Sequence, residues 1–326
     1  MATFDAIAAV GAGRMGRGIA VAFAYSGHPV RLIDAKPRDA ADAARLADEA
    51  RAEIRATLTM MAGFGLLERA EIDGMLSRVT HFSHDALAEG LAGARFIFEG
   101  VPETMEVKAE AFARISAHAD PSAIIASTTS TILSNDLQPL VTHPGRFLNA
   151  HWLNPAFLVP LVELSPGTAT APKATQALKD LLERIGKVPV ICAPSPGYIV
   201  PRIQVLAMNE AARMVEDGVA TAEDIDTATR YGFGFRFAVL GLLEFIDWGG
   251  GDILYYASRY MADATGEDRF AAPRIIGENM EQRRTGLRDG QGFLDYDGMD
   301  IAAYQQGRLD AFAAMLRHLG KMPVKG

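Results

Sequence analysis

A chain of 326 residues, 49% hydrophobic and 22% charged, has the composition of an ordinary water-soluble protein, long enough for two domains with a core each. No apolar run reaches the ~18 residues that a membrane helix requires, and a formal net charge of −8 argues against nucleic acid as a partner. The single cysteine, Cys192, rules out an internal disulfide and a thiolate-rich metal site. Lying in the apolar run 188–192, it reads as a small buried hydrophobe. The first strand begins at once, without a signal-like stretch, so the expected compartment is the cytoplasm.

Residues 6–10, AIAAV, suit a buried strand and run straight into Gly11, Gly13 and Gly16, with a helix-compatible run at 19–25 behind them. Gly11 permits the tight turn, Gly13 lets a pyrophosphate approach bare backbone, and Gly16 lets the helix pack closely on the strand. Arg14 and Met15, at the start of the helix, are expected to bind the cofactor with these glycines, because the helix N-terminus offers unpaired N–H groups to an anion. The second strand, 30–33, ends at Asp34, 23 residues after Gly11, close to the ~20-residue spacing at which an acid meets the adenosine ribose. A carboxylate there accepts from the ribose hydroxyls and repels a 2′-phosphate, so the expected cofactor is NAD.

Residues 37–76 are rich in Ala, Arg, Glu and Leu and read as a long helical excursion. Strand-like runs follow at 79–82, 96–99, 124–127, 147–150, 161–164 and 188–192, with helices expected at 108–119 and 173–185. This alternation predicts a largely parallel, doubly wound α/β sheet with its ligand at the carboxyl ends of the strands. The prolines and glycine of Pro194 to Gly197 cannot extend a strand, which sets the expected domain boundary between 196 and 197. Beyond it, a helix over 198–217 puts Ile203, Leu206, Ala207, Ala211, Met214 and Val215 on one face. Thr221 with Asp224 suggests a helix cap, and helices at 254–264 and 303–319 complete an all-α second domain.

Oxidation of a secondary alcohol by hydride transfer needs a base, a group that fixes the base's tautomer, and donors for the developing oxyanion. One region holds all three. Ser130 lies just beyond the strand 124–127, and His151, Asn154 and Glu163 follow in NAHWLNPAFLVPLVEL, with His151 terminating the strand 147–150. None of the other six histidines has an acid and an amide beside it. His81 and His84 straddle a strand end without a third ligand, so they read as surface residues and no metal site is expected.

The order of GAGxMGxG from Gly11, VPE at Val101 to Glu103 with Lys108 beyond, the Ser/Thr run from Ser127 to Thr131, HWLNP from His151, Val162-Glu163, PGYIV from Pro196 and GFLDY from Gly292 resembles the 3-hydroxyacyl-CoA dehydrogenase family over nearly the whole chain. The resemblance implies an N-terminal Rossmann domain, 1–196, and a helical substrate and dimerisation domain, 197–326. It implies His151 as general base, Glu163 as its orienting partner, and Ser130 and Asn154 as ligands of the substrate oxygens. Glu103 and Lys108 would line the cofactor side, and two copies of the chain would form a homodimer.

Two departures bear on the substrate. Where the family usually reads PGFIVNR, this chain reads PGYIVPR, so Pro201 replaces an asparagine that helps bind substrate and supplies no donor. The stretch 232–244, GFGFRFAVLGLLE, together with Pro160, is more similar to relatives that oxidise small free hydroxy acids, such as gulonate and carnitine dehydrogenases. Arg236, set between aromatics, then reads either as a bidentate carboxylate clamp or as half of a surface ion pair. The segment 57–67 lacks the basic residues with which CoA-using relatives meet nucleotide phosphates, though Arg51, Arg55 and Arg69 flank it. The leading expectation is a short 3-hydroxyacyl-CoA such as 3-hydroxybutyryl-CoA. A CoA-free hydroxy acid, and an NAD-binding structural protein without turnover, stand beside it.

Overall fold

Most strands of the first half are short apolar runs buried on both faces, as a parallel sheet covered by helices requires. In the computed structural model, which describes residues 5–324, they are laid down as β1 (Ile7–Val10), α1 (Arg14–Tyr25), β2 (Val30–Ile33), α2 (Ala40–Gly63), α3 (Ile72–Leu76), β3 (Val79–Phe82), α4 (Leu87–Leu91), β4 (Phe96–Glu99), α5 (Met105–His118), β5 (Ile124–Ser127), α6 (Ser134–Leu137), β6 (Phe147–Trp152), β7 (Leu161–Pro166), α7 (Pro172–Arg184) and β8 (Val188–Ile191). The eight strands form one sheet in the order β3-β2-β1-β4-β5-β6-β7-β8. All neighbours are parallel except β6 and β7. Successive side chains alternate between faces. Ala8, Val10, Ile97 and Ile125 therefore join Phe112 and Ile115 of α5 in one core. Ile7, Ala9, Phe96, Phe98 and Ala126 join Ile19 of α1 and Ile54 of α2 in the other.

Two compact units result, the first ending at Leu206 and the second beginning at Ala207. This division falls inside α8 (Val200–Glu216). The second unit is helical, with α9 (Ala222–Ala228), α10 (Phe235–Phe237), α11 (Leu242–Gly249), α12 (Gly251–Thr265), α13 (Arg274–Glu281) and α14 (Ile301–His318). Thr221 caps α9 as expected, accepting from the Asp224 N–H at 3.1 Å. The GFLDY stretch is tied down by Asp247, 2% exposed, whose carboxylate accepts from the Phe293 and Leu294 N–H groups at 2.9 and 2.8 Å.

One expectation is corrected. Cys192 is half-buried rather than buried, because β8 is the outermost strand of the sheet and its end faces solvent, with Ile191 exposed. The helix expected over 198–217 forms as α8 with none of its residues buried, and Leu206 on its apolar face is 67% exposed.

Lys187, just before β8, is buried without a carboxylate within ion-pair reach among the described residues. Its Nζ donates to the Ala156 and Val159 carbonyls, both at 2.7 Å, and lies 5.4 Å from the Trp152 ring centre. Burial pushes its pKa down from 10.5 to about 8. The unfolded chain therefore holds this proton more tightly than the folded one, and stability rises with pH between about 8 and 10.5. Urea unfolding across that window is expected to show a rise of at most about 3 kcal/mol, absent in Lys187→Met.

Candidate active site

At the carboxyl ends of the central strands the apolar pattern is broken by one row of buried polar residues. Glu99 of β4 stands beside Ser127 of β5, Ser127 beside Asn149 of β6, and Asn149 beside Ser165 of β7. All four are at most 1% exposed. Buried polar groups on this scale need partners, and the partners build the site.

His151 lies within β6 rather than after it, and the antiparallel ladder sets it directly opposite Glu163 of β7. The strand is longer than expected because pairing with β7 carries it through Trp152. Cross-strand neighbours reach one another, and His151 Nδ1 meets Glu163 Oε2 at 2.8 Å. The other carboxylate oxygen accepts from the N–H groups of Ile199 and Val200 at 2.9 and 2.8 Å. Burial opposes the charge on Glu163. The hydrogen bonds from His151, Val200 and Ile199 outweigh it and hold the carboxyl below its ordinary value. An ionised carboxylate only accepts, so Nδ1 carries the ring proton and Nε2 presents its lone pair.

The loop after β5 is organised by Glu103. Its Oε1 accepts from the Ser130 and Thr131 N–H groups at 2.9 and 3.1 Å, and from the hydroxyls of Thr129 and Thr131. Burial raises the Glu103 carboxyl, but Thr129, the charge of Lys108 and the Thr131 amide bring it below its usual range. Lys108 is fully buried, with Nζ 3.0 Å from both oxygens of Glu99 and 3.3 Å from Glu103 Oε2. Its ammonium thus serves two carboxylates, and Glu103 carries its influence to the loop. Ser130 and Asn154 are exposed, and their side chains have no hydrogen-bond partner among the described residues.

The turn after β1 fits NAD. Gly11 has φ +113°, and a Cβ on Gly16 would lie 2.0 Å from the Gly11 carbonyl oxygen, so neither tolerates a side chain. A Cβ on Gly13 would meet nothing within 4 Å, which leaves bare backbone open to a pyrophosphate. Arg14 is the first residue of α1 and Met15 the second. Asp34, 8% exposed, edges a cavity of about 210 Å³ lined by Ala12, Ala43, Ala47 and His81. Its oxygens accept from Arg38 Nε at 2.6 Å and from the Lys36 N–H at 3.1 Å. Burial, with Arg51 and Arg17 nearby, pushes His81 below its ordinary value. It is thus a cavity residue rather than a plain surface one.

Pro201 is the second residue of α8, where a missing N–H costs little. Arg236 lies in the second unit. It makes no ion pair among the described residues, and its guanidinium lies 5.2 Å from the Phe245 ring centre. The groove it lines also holds Glu210, Asp224 and Asp226, of which Glu210 pairs with Arg213 and Arg269 and Asp226 with Arg230. Sequence reasoning missed Glu99, Asn149 and Tyr198. The charged end of the apolar run FIFE is a signal for the first, and tyrosine in place of the family's phenylalanine is a signal for the last.

The family model for the NAD-binding domain of 3-hydroxyacyl-CoA dehydrogenase matches residues 6–195, and that for the C-terminal domain matches residues 197–296. The 5-formyl-3-hydroxy-2-methylpyridine 4-carboxylate 5-dehydrogenase of Mesorhizobium japonicum is 30% identical over 315 residues, which is 96% of this chain and 97% of that protein. An L-carnitine dehydrogenase from the same organism is 32% identical over 254 residues, covering 77% of this chain and 66% of the other. The crystal structure of a 3-hydroxyacyl-CoA dehydrogenase from Archaeoglobus fulgidus superposes with a TM-score of 0.77 at 28% identity, covering 97% of this chain and 99% of that one. The chain therefore belongs to the 3-hydroxyacyl-CoA dehydrogenase family, as an NAD-dependent dehydrogenase.

Proposed function

We propose that this chain oxidises the secondary hydroxyl of a small 3-hydroxy acid, taken without coenzyme A, to the 3-oxo acid. The observation that carries the chemistry is the buried 2.8 Å pair of His151 and Glu163. Nε2 of His151 takes the hydroxyl proton, and Glu163, already anchored by two amides, stabilises the imidazolium without moving. Ser130 and Asn154, with unengaged side chains, donate to the substrate oxygen as negative charge develops on it. Gly11, Gly13, Gly16 and Asp34 hold the NAD, which supplies the hydride acceptor.

The surface of α2 supports a CoA-free substrate. The phosphates of coenzyme A call for free cations, yet 57–67 has none and exposes Met60, Phe64 and Leu66. Of the flanking arginines, Arg55 is bound to Asp73 at 2.7 Å, whereas Arg51 and Arg69 make no ion pair among the described residues. A cavity of about 390 Å³ between α1, α2 and the loop after β6 is lined by Val21, Ile54, Ala156 and Phe157, with Asn154 and Arg14 among its walls. Arg14 has no ion-pair partner among the described residues, so we assign it, rather than Arg236, to the substrate carboxylate. The full-length relative, named for a formyl pyridine carboxylate, and the carnitine dehydrogenase relative both support a substrate without coenzyme A. A short 3-hydroxyacyl-CoA is the second reading, favoured by the likeness to the Archaeoglobus enzyme. NADH formation with 3-hydroxybutyrate, carnitine and a pyridine-alcohol carboxylate, against 3-hydroxybutyryl-CoA, decides between them. Turnover of the thioester alone sinks the free-acid reading, and NAD binding with no turnover on any of them favours a structural protein.

We further propose that a second copy of the chain covers the exposed apolar face of α8, where Ile203, Leu206 and Val215 are each more than a third exposed. Sedimentation is expected to show a species of twice the 35.0 kDa chain mass, replaced by the single-chain species in Leu206→Glu.

A further inference from the structure

Tyr198 occupies a position that nothing local explains. It is one of the few non-glycine residues with positive φ, at +46°, a backbone conformation that persists only when its surroundings demand it. It is 7% exposed, and its ring lies flat on the imidazole of His151, with centroids 4.9 Å apart and planes 6° from parallel. The hydroxyl donates to the Thr129 carbonyl at 2.9 Å and accepts from Asn149 Nδ2 at 3.0 Å. The direction of that pair is fixed. Asn149 Nδ2 also donates to the Ile132 carbonyl at 2.9 Å, so the amide cannot turn its oxygen toward the phenol. Burial pushes the phenol's pKa up, which keeps the proton on the hydroxyl that donates to Thr129.

One side chain thus touches both halves of the site. Thr129 and Thr131 flank Ser130 in the loop gripped by Glu103, and the two residues after Tyr198 grip Glu163. The geometry points to Tyr198 as a positioning residue: its ring holds His151 face to face, while its hydroxyl ties that stack to the loop carrying Ser130. Base and oxygen-binding hydroxyl then keep one register. The inference rests on His151 being the base.

The test uses Tyr198→Phe, which keeps the stack and loses the ties, and Tyr198→Leu, which loses both. The assay uses whichever of 3-hydroxybutyrate and 3-hydroxybutyryl-CoA the native protein turns over, with deuterium at the carbinol carbon in a parallel run. Misplacing a base by ~1 Å costs up to about 10²-fold in rate. Tyr198→Phe is expected to lower kcat about 10-fold and Tyr198→Leu about 100-fold. NAD affinity should be unchanged, and the deuterium isotope effect on kcat should rise as chemistry becomes limiting. A purely structural role would lower the melting temperature and leave both kcat per folded molecule and the isotope effect unmoved, and that result overturns the inference. His151→Gln run alongside separates the two ideas. An inactive His151→Gln with fully active Tyr198 variants overturns the positioning role alone, whereas an active His151→Gln overturns the base assignment and this role with it.

Discussion

His151→Gln is expected to lower kcat by about 10³-fold, within the range by which a positioned base contributes, and to leave NAD affinity unchanged. The glutamine amide can still donate to Glu163, so the fold and the buried carboxylate keep a partner. What it lacks is a basic lone pair where Nε2 stood. Glu163→Gln should be the milder change, about 10²-fold, because His151 survives with its tautomer no longer held by a charge. The carboxyl of Glu163 sits below its ordinary value of 4.5 in the folded chain. It therefore stays ionised at every pH above that value. Its contribution to stability is fully present there and is lost only as pH falls through the lower, folded value. Urea midpoints measured from about pH 8 down to about pH 3 test this: a loss of stability between about pH 8 and about pH 6 that vanishes in Glu163→Gln would contradict it.

Lys108→Met is expected to cost about 3–5 kcal/mol of folding stability, the usual result of removing one member of a buried ion pair. Glu99 is fully buried, and although Val101 and Ser127 still donate to it at 2.7 and 2.6 Å, its charge would lose the only cation in contact with it among the described residues. Adding Glu99→Gln to Lys108→Met should recover part of the loss, since an uncharged amide in that position needs no counter-ion. Urea midpoints of the single and double variants check both statements. Equal stability of Lys108→Met and the native chain would mean that the pair is neutral in place. The same variant should slow turnover, because Glu103 then holds the Ser130 loop without its cation.

The parallel strand-helix alternation, the glycine turn, Asp34 and the histidine with its acid were legible from the sequence because each is written in short-range spacing and in the order of motifs along the chain. The buried network behind them was not. Glu99 reads as the end of an apolar strand, and only the register of β4 on β5 shows that Ser127 and the distant Lys108 converge on it. Tyr198 reads as one more aromatic in a helix start, since a ring stack between separate segments leaves no periodic trace. Cys192 was misjudged for a related reason. Its neighbours are apolar, but burial depends on whether β8 is central or outermost, and that is a property of strand order rather than of composition.

The pairing of β6 with β7 has a consequence for how such a protein acquires new substrates. His151 and Glu163 are held as partners by the ladder itself, so the segment 153–160 that joins the two strands carries no share of that alignment. A shift of one residue in register would turn one partner to the opposite face and end the chemistry. On the proposed roles, exchange or lengthening of the connecting segment beyond Asn154 would not. Ala156 and Phe157, which wall the cavity assigned to the substrate, lie in that part. Reaction and selectivity would then be modular along this hairpin: the strands and Asn154 hold what is done, and residues 155–160 are free to diversify what it is done to.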